Sequence, residues 1–557
     1  MNNISKSNHL KSWIKSGALA LSLSLAFSCQ DQLQEDVVSQ IGSEYMNTPK
    51  GIDDGVSAAY TSMRAWYGTE RGHNLTEFGT DIYTNGADGS WKFMNTYTNQ
   101  FDSQNGHLTE LWDEFYRGIN TCNAVIDRAP NVSGISDATR KLRIAEAKFI
   151  RAHHYFIMVQ LFGSVDLQLS ENIVPNKKVS RAPVSEIYAA IIADLEAAIP
   201  DLEGTKVSAQ YGRATRAAAQ NLLGKVYLTR ATSEAKAADD FAKAETLFKN
   251  VLAYGFTLLP QYSQIYQFGN ERNDEVIWSI QYTRDPLTNG GGNNSHVFFL
   301  MEYDTQAGMR RDTQNGRPFK RYRLTPYAIN TVFGERVNDS RYKASFIDVY
   351  FSNRAGTYNT SFDLSKPTVT FAEGDTAIYI PGFEMPLAER AKKKYQVLVP
   401  SRYDERLFPG LKKHLDPGRA DLTQFEGGRD FIAMRLGETY LRLAEAQLKQ
   451  GKVADATATI NVLRRRAAFP GKAAAMEITS DKMTMDFLME ECARELTGEQ
   501  FRWLDLKRWG VLIERVKLYN AQAAPNIKDF HALRPIPQNQ IDRAEGGPSG
   551  FPQNPGY

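Results

Sequence analysis

Leu223-Gly224-Lys225-Val226-Tyr227, followed after a polar connection by Ala244-Glu245-Thr246-Leu247-Phe248, decides how this chain is built. Both segments carry apolar residues at helical spacing. Gly224 and Ala244 are small where two antiparallel helices must cross closely, and Tyr227 and Phe248 are large beside them. A second pair repeats the device. Leu443-Ala444 stands on one helix and Ala456 on the next, with Gly451 between them at a tight turn that favours positive φ.

These offsets resemble the tetratricopeptide repeat, whose period is about 34 residues, although the connection at 233–240 is about eight residues longer than the standard one. Outward from the two pairs, periodicity predicts helices over 50–68, 107–128, 137–162, 184–199, 214–231, 239–253, 431–449, 453–466, 482–497 and 500–516. Residues 256–430 differ: Gly, Asn, Pro and aromatics interrupt short β-like runs such as Val276-Ile-Trp-Ser-Ile280 and Ala377-Ile-Tyr-Ile380. The expected fold class is mainly α, a tetratricopeptide-like helix-pair solenoid framed by 49–255 and 431–520, with 256–430 as a large irregular excursion packed against it. Residues 521–557, rich in Pro, Gly and Asn, are expected to be an irregular tail of the same single domain, 49–557.

Residues 1–28 carry Lys6, Lys11 and Lys15 and no acid, then the apolar run Ala18-Leu-Ala-Leu-Ser-Leu-Ser-Leu-Ala-Phe27. A basic start, a short apolar run and small residues before a cut describe a secretory signal. The run is shorter than the ~20 apolar residues a bilayer requires. Leu25-Ala-Phe-Ser-Cys29 resembles a bacterial lipobox, so Cys29 is the expected lipidation site and 29–48 a flexible tether. An ordinary signal peptide that happens to contain a cysteine is the competing reading.

Removing 1–28 leaves 529 residues and turns the net charge from +2 into −1. Phosphate binding needs a basic face, so nucleic acid is not the expected partner. Cys122 and Cys492 fall in segments that read as helical and are expected as buried free thiols. His153 and His154 point about 100° apart on a helix and cannot chelate one metal together. The chain has no His-Glu-x-x-His, no phosphate-binding glycine loop and no Gly-x-Ser-x-Gly elbow. No cofactor or catalytic residue is therefore expected and no metal ligand is assigned, while the Asp and Asn clusters of the loops leave Ca²⁺ binding open.

A series of motifs runs the length of the chain. Tyr116-Arg-Gly-Ile-Asn120-Thr-Cys-Asn123 comes first, then Ala145-Glu146-Ala-Lys-Phe-Ile-Arg151-Ala-His-His-Tyr155 and Leu161-Phe-Gly163. Gly212-Arg213-Ala-Thr215, Glu275-Val-Ile-Trp278, Leu324-Thr-Pro326 and Asn338-Asp339-Ser-Arg341 follow. Arg435-Leu-Gly-Glu438-Thr-Tyr-Leu441, Asn461-Val-Leu-Arg464 and Glu490-Glu491-Cys-Ala-Arg494-Glu495 stand in the C-terminal part. Phe501-Arg502-Trp503-Leu-Asp505-Leu-Lys507-Arg508-Trp509, Pro535-Ile-Pro537 and Gln553-Asn554-Pro555-Gly556-Tyr557 close the series. In this order they resemble the SusD/RagB family, outer-membrane nutrient-binding lipoproteins of Bacteroidetes. Gln500 stands where that family commonly has glycine. Most of the signature reads as scaffold: Arg502 and Asp505 share a helix face and can pair, whereas Glu146 and Arg151, five apart, seek partners on other helices.

The resemblance implies binding without catalysis. It implies capture of oligo- or polysaccharide at the cell surface and delivery to a SusC-like TonB-dependent transporter in the outer membrane. Cys29 would carry the anchoring lipid, and Asp31, Glu35 and Asp36 resemble the surface-export signal. In the RagB branch the ligand is a peptide, which is the alternative here. Sugar sites combine aromatic platforms with amides and charges, and residues 81–97 mix both where the family places binding loops. The expected ligand-binding residues are Trp91 first, then Tyr83 and Tyr97, with Asn85, Asp88 and Asn95. The loop Gly290-Gly-Gly-Asn293-Asn294 running to Tyr303 adds Asn293 and Tyr303. The competing reading makes Tyr83 and Phe93 core staples of a long loop. Arg310, Arg311, Arg317, Lys320 and Arg321 suit the carboxylates of acidic sugars or peptides, or are plain surface.

Overall fold

The computed structural model describes residues 43–557, and Cys29 lies outside the described residues. Helix α1 (Pro49–Ser62) starts where Thr48 accepts from the Gly51 amide and Pro49 occupies the first turn. Before it, Ser43–Asn47 form a 3-10 turn whose Tyr45 hydroxyl donates to Asp54. The last residues of the stretch read as tether are thus already packed. Between α1 and the next long helix the chain makes α2 (Glu70–Thr76), β1 (Tyr83–Asn85) and α3 (Lys92–Thr96).

The long helices follow: α4 (Gly106–Arg128), α5 (Asp137–Phe162), α6 (Val184–Ala198), α7 (Arg216–Arg230) and α8 (Asp240–Leu252). α1 packs on α4, and each later helix packs on the one before it. A Cβ on Gly224 would stand 2.7 Å from the Phe248 ring, so glycine closes α7 against α8 as its sequence position implied. After the excursion come α9 (Leu436–Lys449), α10 (Val453–Ala467), α11 (Met485–Leu496), α12 (Arg502–Arg508) and α13 (Leu512–Tyr519). α8 packs directly on α9, so the stack is continuous in space although 256–430 lies between them in sequence. Gly451 turns α9 into α10 at φ +75°.

The excursion holds short strands: β2 (Val276–Ile280), β3 (Tyr322–Leu324), β4 (Val349–Phe351), β5 (Gly356–Asn359), β6 (Thr368–Phe371), β7 (Thr376–Tyr379), β8 (Gln396–Val397) and β9 (Phe431–Arg435). β1 pairs with β3, β2 with β9, β5 with β6, and β7 lies between β4 and β8. Residues 431–435, expected to begin a helix, form β9 instead. An unbroken buried apolar run does not distinguish strand from helix by period. The helix expected over 500–516 is two helices, broken at Gly510 (φ +75°), and the tail contains a short helix at Gln538–Arg543.

A buried ion cluster joins excursion to helices. Arg435, leaving β9, meets Glu275, Glu495 and Glu499 at 3.1, 2.8 and 2.8 Å. Arg466 of α10 meets Glu275 and Glu495, each at 2.6 Å. From the excursion, Arg341 meets Asp339 and Glu491 at 2.6 and 2.8 Å, and Lys413 meets Glu499 at 2.7 Å. Buried charges persist only when paired in this way, which explains why so many signature residues are scaffold. Arg502 and Asp505 do not pair: Arg502 reaches across to Asp81 at 2.6 Å, and Asp505 is held by Arg442 and Arg508 at 2.9 Å each. Arg151 finds Asp194 and Glu146 finds Arg213, both on other segments as expected. Cys122 and Cys492 are buried free thiols. Among the described residues no helix is long and apolar enough to cross a membrane.

Candidate functional site

The β1–β3 ladder positions the site. Tyr83 faces Leu324, Thr84 faces Arg323 and Asn85 faces Tyr322. Beyond β1 the two backbones stay together, Gly86 N–H donating to Arg321 O at 2.8 Å and Asp88 N–H to Lys320 O at 3.3 Å. A Cβ on Gly86 would stand 2.1 Å from the Lys320 carbonyl oxygen, so this approach requires glycine. Ser90 N–H then donates to Asp88 Oδ1 at 2.9 Å, a local turn that delivers Trp91 to the start of α3.

Trp91 adopts φ 62° and ψ 10°, a left-handed backbone that costs a bulky residue about 1–3 kcal/mol. Packing sustains it. The half-exposed indole stacks on His107, with centroids 3.7 Å apart and planes at 25°, and Phe93 lies at 5.8 Å. Burial, then the cations Arg71 and Arg321, pulls the His107 pKa down to about 3, so the imidazole is neutral at any physiological pH.

Arg321 connects Trp91 to a second aromatic pair. Its Nη1 lies 2.8 Å from Glu70 Oε1 and 3.5 Å from Asp88 Oδ1, and donates to Ser90 O at 3.3 Å. The same guanidinium lies 5.7 Å from the Phe319 ring. Phe319 stacks on Phe425 at 5.5 Å and 21°, and Arg317 lies over it at 5.2 Å. Burial raises the Glu70 pKa, against the pull of Arg321. Glu70 and Asp88 share one guanidinium, so they act as fixed hydrogen-bond acceptors beside the rings. Half-exposed aromatic faces around fixed charges suit a ligand with apolar faces and hydroxyl edges.

Of the expected residues, Trp91 and Asp88 lie on this face. The other six are buried and serve the scaffold. Tyr83 OH pairs with Thr497 Oγ1 at 2.9 Å, and Tyr97 OH donates to Gly79 O at 2.8 Å. Tyr303 OH donates to Gly316 O at 2.6 Å while its ring stacks on Tyr350. Asn95 Oδ1 accepts from Gly79 N–H at 3.0 Å, and the Asn85 backbone N–H donates to Gln522 Oε1 at 3.2 Å while its buried Oδ1 has no partner among the described residues. Asn293 Nδ2 donates to Arg429 O at 2.9 Å. The C-terminal residues Thr497, Asn520 and Gln522 cover the inner side of the 81–97 loop, and the tips of Tyr83 and Asn95 bond to protein groups there rather than to solvent. Of the basic candidates, Arg317 and Arg321 line the face, while Lys320 and Arg311 are paired with Glu302 and Asp304. His107, Glu70, Phe319 and Phe425 escaped the sequence reading. The alternation Phe319-x-Arg321-x-Arg323 was the one available signal for that edge.

Two family models match the chain: "SusD family" over residues 274–557 and "Starch-binding associating with outer membrane" over 33–228. The chain is 26% identical to SusD-like protein P2 of Formosa agariphila, over 95% of this chain and 97% of that protein. It is likewise 26% identical to the starch-binding protein SusD of Bacteroides thetaiotaomicron, over 76% of this chain and 74% of that one. Among solved structures, a laminarin-binding SusD-like protein superposes with TM-score 0.66 at 21% identity, over 92% of this chain and 100% of the other. A SusD homologue from Bacteroides thetaiotaomicron gives 0.69 at 19% identity, over 93% and 99%.

Proposed function

Since the chain belongs to the SusD family, we propose that it is a non-catalytic glycan-binding lipoprotein of the outer membrane, anchored through Cys29 and facing the cell surface. It captures oligo- or polysaccharide and delivers it to a SusC-like TonB-dependent transporter. Trp91 carries this reading: an indole kept half-exposed at backbone expense and braced from behind by a neutral imidazole. The CH face of a sugar ring lies against Trp91 or Phe319, and its hydroxyls meet Asp88, Glu70, Arg317 and Arg321. The starch-binding and laminarin-binding relatives support the same ligand class.

A glycan array probed with residues 30–557, with a peptide library in parallel, tests the reading. Wild-type protein is expected to retain one polysaccharide class and Trp91→Ala to lose it while still melting in a single cooperative transition. Retention of peptides alone would replace the glycan with a RagB-like peptide ligand. Glycan retention that survives Trp91→Ala would move the site elsewhere.

A further inference from the structure

We propose that the cleft beside Arg323 is a second subsite, which takes an anionic substituent of the glycan: a uronate carboxylate or a sulfate ester. This inference rests on the glycan-binding reading above. Side chains alternate along β3, so Tyr322 and Leu324 enter the core while Arg321 and Arg323 turn to the other face. The two arginines differ in one respect. Arg321 is neutralised by Glu70 and Asp88. Arg323 is half-buried, its Nε is buried without a partner, and among the described residues its side chain makes no hydrogen bond, ion pair or ring contact.

Burial pulls the Arg323 pKa down, opposed only at longer range by Glu405 and Asp404. Glu405 is itself engaged, by Lys92 at 2.8 Å and by Gln522 Nε2 at 3.0 Å. A guanidinium keeps its charge at every physiological pH, so a partly desolvated one without a counterion is costly until an anion arrives. The space it borders is a cleft of about 500 Å³ lined also by Thr84, Tyr327, Asn330, Tyr519 and Gln522. Tyr327 and Tyr519 stack at 3.8 Å and 19°, leaving the Tyr519 ring half-exposed as a wall. An aromatic wall, amide edges and one unpaired fork of N–H donors make a site for an acidic sugar ring, since the fork binds carboxylate or sulfate through two parallel hydrogen bonds. Arg321 and Arg323 are about 7 Å apart along the strand. One glycan chain can therefore lie on Trp91 and reach the cleft past Lys92 and Gln522.

Calorimetric titration decides the matter, with an oligogalacturonate, a sulfated galactan oligosaccharide and neutral maltoheptaose as probes. Wild type is expected to bind at least one anionic chain more tightly than the neutral one, and less tightly as salt rises from about 50 to about 300 mM. Arg323→Gln should cost that chain about tenfold in affinity, remove its salt dependence and leave any neutral binding within about twofold. The chain that suffers identifies carboxylate or sulfate as the source. Equal affinity of wild type and Arg323→Gln for both anionic chains would overturn the subsite, as would a wild type that does not prefer either. Trp91→Ala separates the two readings: anionic binding that survives Trp91→Ala and fails in Arg323→Gln refutes the Trp91 platform and leaves the Arg323 site standing.

Discussion

Trp91 and His107 form a single stacked unit, 3.7 Å between centroids, in which a buried, unprotonated imidazole supports a half-exposed indole from the first turn of α4. Removing the support should weaken the platform without touching ligand. His107→Ala is expected to lose about 1 kcal/mol of ring–ring interaction, about fivefold in glycan affinity, with Trp91 still present. Because the imidazole does not titrate above about pH 3, the loss caused by His107→Ala should be the same size between about pH 5 and about pH 8. Titration calorimetry at both ends of that range checks the two outcomes together, and a His107→Ala protein with undiminished affinity would dismiss the support.

Arg435 sits among Glu275, Glu495 and Glu499 at the junction of excursion and helices. Although burial opposes it, the charge of Arg435 and then of Lys413 holds the Glu499 pKa down to about 2. Arg435→Met strands buried carboxylates, so a loss of about 3–5 kcal/mol is expected in urea unfolding.

Glu77 behaves oppositely. It is almost fully buried, its Oε1 accepts from the Gln500 amide at 2.9 Å, and burial raises its pKa to about 8. A carboxyl whose folded pKa exceeds its unfolded value contributes stability below the unfolded pKa, near 4.3, and loses it as pH rises toward about 8. Glu77→Gln should therefore be more stable than wild type by up to about 1.4 kcal/mol for each pH unit above about 4.3, reaching roughly 4–5 kcal/mol at pH 8, with the gap closing below about pH 4. Thermal melts across this range read it directly.

Several histidines are buried neutral. Burial depresses His154 to about 3 and His296, His414 and His531 to about 4. Folded values below the unfolded value of about 6.5 mean stability that is present above that pH and lost as pH falls, by up to about 1.4 kcal/mol per pH unit for each group. Between about pH 6.5 and about pH 5 the unfolded carboxylates scarcely titrate, so these histidines dominate. The urea midpoint should drop over that interval, and His154→Gln, which cannot titrate, should show a smaller drop.

The helical frame was legible because a period of 3.6 leaves a mark at every turn: 137–162 matches α5 residue for residue, and Gly224 and Gly451 do what their neighbours demanded. Phe431-Ile-Ala-Met434 carries no such mark, since a strand buried on both faces reads the same as a buried helix turn. Of the candidate site, only Trp91 and Asp88 were legible. Tyr83, Tyr97 and Asn95 have the composition of a binding loop, and what distinguishes them is a cover supplied by Thr497, Trp503 and Asn520, some 400 residues away in the chain. Gln500 is explained in retrospect: it adopts φ 64°, the left-handed conformation for which glycine is the ordinary choice.

The contact of α8 with α9 sets the order in which the protein can be completed. The apolar flank of α8 is covered by residues that leave the ribosome only after the whole of 256–430 has been made, so nothing ending at residue 255 has a finished surface. Folding must close a loop of well over a hundred residues before the helical stack is whole. That raises the contact order and slows assembly, and the apolar flank of α8 stays uncovered until residues 436–449 arrive.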